Sequence, residues 1–550
     1  MQYKTRREPE RAAGYRANGD WPDETFSILL ARRVADTPDK EVLFDGVTRL
    51  TYRQLSEAID RVAVRLRAAE LGAGDVVALQ IPNWNEFVVV FFALERIGAV
   101  GLAISIDFRS REVEYLLKSA DCRAYVSCPT YKGFDYGAMI DGLRAQVPSL
   151  AWVGVVRAEG RPAAESLDGA IAGTGRPAGF EPAALDPDRL SRILFTSGTT
   201  GNPKGVTHNH NTSLWPARML NRDMGLGADE VMLLYLPLAL NWGYLTIVQA
   251  MMAGCRVVVM EQFRAEQALA LIQSERVTYI PTAPASIVSM LNVPDLARYD
   301  VSSLRMVITG GTSCPLELIR AFRAHFPSAT LIELYGMLET GGYHTYTRPT
   351  DDPEAVAGSV GRVGSSMKLR IRDTEGRPVP DGEPGEIQCD GPGIQLGYYN
   401  NPVANEEAFT ADGWFRTGDL GTIDPAGNLR IVGRLKEIIN RGGKKYYPRE
   451  VEEILYAHPK VLHAAVIGLP DARLGESNCL CLVPRPGVEA PKLEDFVDFL
   501  KGTIATYKLP ERLELFDELP YTPTGKVQRH ALVKQVLARD ASQMAKDAFP

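Results

Sequence analysis

Apolar positions in the first half of the chain recur in two alternating rhythms. Leu55 to Ala69 and Glu86 to Ile97 show the three-to-four spacing of helices with a buried face, whereas Val76 to Ile81 and Ala124 to Ser127 are short strand-like runs. The pair of rhythms returns in Arg256 to Glu261, Ala265 to Ser274, Tyr279 to Pro281 and Arg305 to Thr309. Strands separated by helices of this length predict parallel sheets with helical crossovers, and hence a layered α/β fold. The longest apolar runs, Val88 to Leu94 and Val257 to Met260, fall well short of the roughly 18 residues of a membrane span and read as buried strands or helices. The Ala- and Gly-rich stretch Arg157 to Ala183 reads as a surface loop region.

After about Ala357 the texture changes to short strands between turn sequences such as DTEG, PDGEPG and DPAGN, which predicts a β-rich sub-domain over about 357–433. A smaller α+β unit follows, with a helix from Arg449 to Ala457, strands Val461 to Ile467 and Asn478 to Pro484, and a helix from Leu493 to Ile504. The chain therefore divides into an N-terminal domain, 1–433, and a C-terminal domain, 434–550, meeting near Gly433-Arg434-Leu435-Lys436.

With 550 residues the chain is too long for a single core, which agrees with that division. An apolar fraction of 45% and a net charge of −7 suit an ordinary globular enzyme and argue against a nucleic-acid binder, which normally presents a basic face. The seven cysteines contain no CxxC pair, so neither a disulfide framework nor a zinc site is signalled, and Cys479 and Cys481 are expected on one side of a strand. The charged start, Met1 to Arg16, lacks the apolar core of a signal peptide, so a cytoplasmic location is expected. Monomer and homodimer both remain open.

The densest chemistry lies in Ile193-Leu-Phe-Thr-Ser-Gly-Thr-Thr-Gly-Asn-Pro-Lys-Gly205. Glycines 198, 201 and 205 let backbone amides turn toward an anion, Thr196, Ser197, Thr199 and Thr200 add hydroxyls, and Lys204 adds a positive charge. The segment is not a Walker loop, because Gly-Lys-[Ser/Thr] is absent at the required spacing. A plain surface loop would not concentrate four hydroxyls and a lysine in this way, and phosphate binding is the better reading.

This loop resembles the phosphate loop of the adenylate-forming superfamily, which includes acyl-CoA synthetases, aryl-acid adenylating enzymes and firefly luciferase. The resemblance runs from about Thr51-Tyr52 to Lys526 with the motifs in the family's order. It implies ATP, Mg2+ and coenzyme A as cofactors, a small carboxylic acid as substrate, and an acyl-adenylate as intermediate. In Tyr335-Gly-Met-Leu-Glu339, the ring of Tyr335 would pack on adenine and Glu339 would hold Mg2+, a hard cation suited to a carboxylate. The family usually has threonine where Leu338 stands, so one hydroxyl contact is lost. Gly310-Gly311-Thr312, whether or not it is also a simple strand-ending turn, would let backbone approach adenine and the acyl group, with Glu333, Leu334, Gly336 and Ile431 also lining the nucleotide. Asp419, in Phe415-Arg-Thr-Gly-Asp, would grip the ribose hydroxyls with help from Arg434. Lys436 would be the hinge of the mobile domain, and Gly442-Gly443, otherwise an ordinary turn, would border the coenzyme A tunnel. Lys526, in Pro520-Tyr-Thr-Pro-Thr-Gly-Lys526, would be the catalytic lysine, and its surroundings resemble stretches that protein acetyltransferases modify.

The acyl pocket would be formed by Leu240, Asn241, Trp242, Tyr244, Gly310, Met337 and Leu338. Leu240 replaces a histidine common in the family, which makes the pocket more apolar, and Asn241 matches the asparagine of enzymes for dihydroxybenzoate and salicylate. Trp242 and Tyr244 suit either a cap over a compact ring or the protein core. These features favour an alicyclic or aromatic acid, as in cyclohexanecarboxylate:CoA ligases, ahead of a short or medium fatty acid. Loading of a carrier protein is the main rival. A luciferase-like oxygenase has no independent support, and a non-catalytic nucleotide binder fits poorly with the presence of Glu339, Asp419 and Lys526.

Overall fold

A computed structural model describes residues 9–196, 203–312, 314–354, 356–471, 473–521 and 527–548. Among them, two large sheets carry the N-terminal domain. In one, the strands Thr330–Tyr335, Met306–Gly310, Tyr279–Thr282, Val231–Leu234, Arg256–Val259 and Glu41–Phe44 lie side by side in parallel, with antiparallel strands at both margins. In the other, Leu190–Phe195, Val100–Ala103, Val76–Gln80, Ala124–Ser127 and Trp152–Val155 run in parallel, and Gly205–Asn209 adds an antiparallel edge.

The helices that cross between strands begin and end where local chemistry dictates. Tyr52–Ala68 starts at a capping box in which Thr51 and Gln54 satisfy each other's free amides, and its apolar stripe Leu55, Ile59, Val62 and Leu66 is buried. Asn85–Arg96 is buried on every side, so Val88 to Leu94 belongs to a core helix. Val257 to Met260 belongs to a strand, Arg256–Val259, and its exit.

One expectation is overturned. Arg157 to Ala183 is not simply surface loop: it contains the short helix Asp168–Ala172, with Leu167 fully buried and Phe180 nearly so. Arg61, reaching from the helix Tyr52–Ala68, donates to the carbonyls of Ala170 (2.8 Å) and Ile171 (3.2 Å). Those long-range donors satisfy backbone groups that the weakly apolar local sequence gave no reason to bury.

The β-rich sub-domain is a four-stranded antiparallel sheet from Lys368–Arg372 through Gly385–Asp390 and Phe415–Ile423 to Leu429–Arg434. Past Arg434 the C-terminal unit is organised around the long antiparallel pair Val461–Asp471 and Gly475–Pro484. Alternate residues serve two cores: Leu480 and Leu482 face one cluster with Val451, Leu455 and Phe496, while Cys479 and Cys481 face another with Phe516, Leu519 and Leu532. The helix expected over Leu493 to Ile504 ends at Leu500, because Lys501 turns to extended backbone (φ −61°, ψ 130°) and Gly502 (φ +83°) completes a tight turn that the Thr503 amide closes on the Leu500 carbonyl (3.0 Å). Among the described residues, no helix is long and apolar enough to cross a membrane.

Candidate active site

The strands Leu190–Phe195 and Gly205–Asn209, which flank the phosphate-loop segment in sequence, pair antiparallel as the two arms of a hairpin. Phe195 lies opposite Gly205, the Thr196 amide donates to the Lys204 carbonyl (3.0 Å), and the Lys204 amide returns a bond to the Thr196 hydroxyl (3.1 Å). Ser197, Gly198, Thr199, Thr200 and Gly201 lie outside the described residues, as does Lys526. Lys204 stands at the neck with its ammonium 5.0 Å from the Tyr398 ring, and the Tyr398 hydroxyl donates to Glu339 at 2.9 Å. Burial and the neighbouring carboxylate hold the Tyr398 phenol far above its usual range, so it stays a donor. Lys204 and Glu339, distant in sequence, are thereby joined through one aromatic ring.

Glu339 is buried in a turn, Leu338–Thr340, whose backbone is gripped from several directions. His208 contacts the Leu338 carbonyl through Nε2 (2.8 Å), the Gln395 backbone N–H donates to the Glu339 carbonyl (2.8 Å), and the Asn241 side chain donates to the Gly341 carbonyl (2.9 Å). Before the turn, Gly336 faces the backbone of Gly342 and Tyr343 so closely that an added Cβ would lie 2.2 Å from the Gly342 carbonyl oxygen. Glycine is thus required there by close backbone approach.

The proposed ribose end is equally well organised. Asp419 and Arg434 face each other across neighbouring strands, with Arg434 Nε 2.9 Å from one carboxylate oxygen and the Tyr335 hydroxyl donating to the other at 2.7 Å. The Asp419 carboxylate raises the pKa of Arg434, which remains a cation. Tyr335 and Ile431 pack against one small cluster with Ile387 and Leu429, which gives this end an apolar floor.

Glu333 and Leu334 precede Tyr335 on the same strand, with Leu334 packed against Gly310. Burial pushes the Glu333 carboxyl up to about 8, partly countered by the Cys314 amide and by Arg449 and Arg430. Its ordinary value is 4.5, so the folded state prefers the protonated acid; this contribution to stability is complete below about pH 4.5 and is lost as pH rises through about 8. Glu333→Gln should therefore melt higher than the parent at pH 9, by roughly 2 °C, with the gap closing at pH 5 in scanning calorimetry.

Of the residues expected to line an acyl pocket, Trp242, Met337 and Leu338 are half-buried at the margin of the main core. Leu240 is also partly exposed, and directly precedes the helix Asn241–Ala253. Tyr244 takes a core position, its ring 5.5 Å from Phe91 and 5.9 Å from Phe92. Asn241 is only 3% exposed, with both ends of its amide engaged: its oxygen accepts from Arg192 at 2.7 Å. Gly311 and Thr312 are exposed at the end of the strand Met306–Gly310.

Gly442 and Gly443 form the tight turn between Ile439–Arg441 and Lys444–Tyr446, with φ of +61° and +81°, and an added Cβ at Gly443 would meet open space. Lys436 lies in the short 3-10 turn Leu435–Glu437. Sequence reasoning missed His208, Tyr398, Arg192 and Gln395. The available signals were a charged residue inside an apolar strand at Arg192 and a histidine in the strand leaving the loop.

An AMP-binding enzyme family model matches residues 30–399, and the AMP-binding enzyme C-terminal domain matches residues 450–526. The chain is 33% identical to 2,3-dihydroxybenzoate-AMP ligase of Bacillus subtilis, over 95% of this chain and 96% of that protein. It is 34% identical to 2-hydroxy-7-methoxy-5-methyl-1-naphthoate--CoA ligase of Streptomyces carzinostaticus, over 95% of each chain. Among solved structures, the anthranilate CoA ligase AuaEII in complex with anthranoyl-AMP superposes with a TM-score of 0.85 at 25% identity, covering 96% of this chain and 98% of that one.

Proposed function

This chain belongs to the AMP-binding enzyme family, and from that premise we propose that it is an acid:CoA ligase that adenylates a small, ring-containing carboxylic acid with ATP and passes the acyl group to coenzyme A. The observation that carries the reading is the composition of one turn: Glu339 meets the phosphate-loop neck through Tyr398, while Met337 and Leu338 just before it are half-buried apolar side chains against the main core. A polyphosphate on one side and an apolar acid on the other suit that division.

Such an acid is already ionised at neutral pH, so no general base is needed. The protein's task is to hold the carboxylate in line with the α-phosphate and to neutralise charge as pyrophosphate leaves. Lys204 and the loop amides suit the β- and γ-phosphates, Asp419 the ribose, and Lys526 the α-phosphate. A single buried carboxylate is the donor set that Mg2+ uses when phosphate oxygens and water complete its shell, so Glu339 fits it; the ion would screen phosphate charge. Coenzyme A attack on the mixed anhydride would follow reorientation of the C-terminal domain about Lys436, with Gly442 and Gly443 beside the incoming thiol. The sequence around Lys526 resembles stretches that protein acetyltransferases modify, and acetylation would erase the charge the first step needs.

The relatives' names favour aryl acids but divide over the acceptor, one being an AMP ligase and the other a CoA ligase. A panel of ring and chain carboxylates assayed with ATP, Mg2+ and coenzyme A decides the matter. The expected result is AMP release matched by acyl-CoA, greatest for cyclic acids. Acid-dependent pyrophosphate exchange without any CoA thioester would point instead to carrier-protein loading.

A further inference from the structure

Arg192 is a charged residue in the middle of the strand Leu190–Phe195, and it is 1% exposed. Burying a guanidinium carries a large desolvation cost that only close, well-aligned partners offset. Its Nε donates to the Ser213 hydroxyl (2.8 Å), its Nη1 donates to the Asn241 side-chain oxygen (2.7 Å), and its Cζ lies over the Tyr244 ring, 4.0 Å from the centroid. Burial draws its pKa down to about 10, which still leaves a cation at neutral pH.

The contact with Arg192 decides which way the Asn241 amide points. With its oxygen turned to a cation that can only donate, its nitrogen is directed at the Gly341 carbonyl, 2.9 Å away and two residues past Glu339. Arg192 also lies directly opposite His208 across the hairpin that carries the phosphate loop, and His208 contacts the Leu338 carbonyl, one residue before Glu339. The two arms of the hairpin therefore hold the Glu339 turn at both ends, one directly and one through Asn241.

We propose that Arg192 is a positioning residue which, by orienting Asn241, fixes the acyl-pocket helix and the Glu339 turn in register with the phosphate loop. The inference rests on the ligase reading above. It also gives Asn241 an internal duty: with both amide ends engaged, this side chain is a brace between elements rather than a reader of ring hydroxyls on the substrate.

Arg192→Lys keeps the charge but lacks the fork needed to reach Ser213 and Asn241 together. It should lower kcat/KM for the best acid of the panel by about 100-fold, the scale of a small misplacement near reacting groups. KM for ATP should stay within about threefold, because His208 and the Gln395 backbone still hold the Leu338–Glu339 side of the turn and only its Gly341 side is released. Asn241→Ala should cause a similar loss, and the double variant should be no worse than either single one. Additive losses, or an equal rise in KM for ATP and for the acid, would overturn the proposal. A second measurement needs no substrate: in Arg192→Lys, amide exchange should speed up in both 338–342 and 241–245, with Val76–Gln80 unchanged. Unchanged exchange in those two segments also overturns it, whereas a parent enzyme inert toward every acid defeats the ligase reading and leaves exchange to decide the role of Arg192.

Discussion

Lys526→Ala should depress acid-dependent pyrophosphate exchange by about 1000-fold while leaving thiolysis of supplied acyl-adenylate within about fivefold of the parent. In the first half-reaction negative charge accumulates around the α-phosphate as pyrophosphate departs, and an ammonium fixed there is worth most when water is excluded. In the second, the thiol loses its proton and attacks the acyl carbon, the acyl C–O bond breaks and AMP departs, with no bond made or broken at phosphorus, so the same ammonium has less to stabilise. Single-turnover assays of the two steps separate these outcomes. Equal loss in both would remove Lys526 from the role given to it here.

The second large effect comes from the smallest possible change. In Gly336→Ala the added methyl would sit 2.2 Å from the Gly342 carbonyl oxygen and 2.4 Å from the Tyr343 Cα, both backbone atoms with no rotamer to give way. Relief requires the segments 335–337 and 342–343 to separate. That motion would pull Tyr335 from Asp419 and disturb the Glu339 turn at once. The expected outcome is loss of activity by at least about 100-fold, with a cost to stability of roughly 1–3 kcal/mol. Steady-state kinetics together with a urea titration check both. Near-parental activity would mean that the close approach is relaxed in solution.

The parts of the fold that were legible in sequence are those written by local periodicity. Alternation placed Cys479 and Cys481 on one side of a strand, and the three-to-four spacing over Leu55 to Ala69 marked a helix, because both signals act over a few residues. The motifs bearing Glu339 and Asp419 could likewise be read from their residues and order. What could not be read was how they are held. His208 meets Leu338 across 130 residues of chain, and Arg192 meets Asn241 across 49, so nothing nearby in sequence announces either bond. Asn241 illustrates the difference: its match to an asparagine of aryl-acid enzymes could be read from the sequence, but the helix it opens and its partner on a strand of the other sheet could not.

Arg529 bonds both Glu437, just past Lys436, and Glu452, on the helix Pro448–Leu455. Behind that clasp, the long ribbon of Val461 to Pro484 is packed on both faces and acts as a beam that resists flexing. A stiff beam bolted to its own end of the joint gives up little motion internally. On the reading in which the C-terminal lobe turns about Lys436, such a beam would leave the travel to the few peptide units from Arg434 to Lys436, much as a door leaves its travel to the pin.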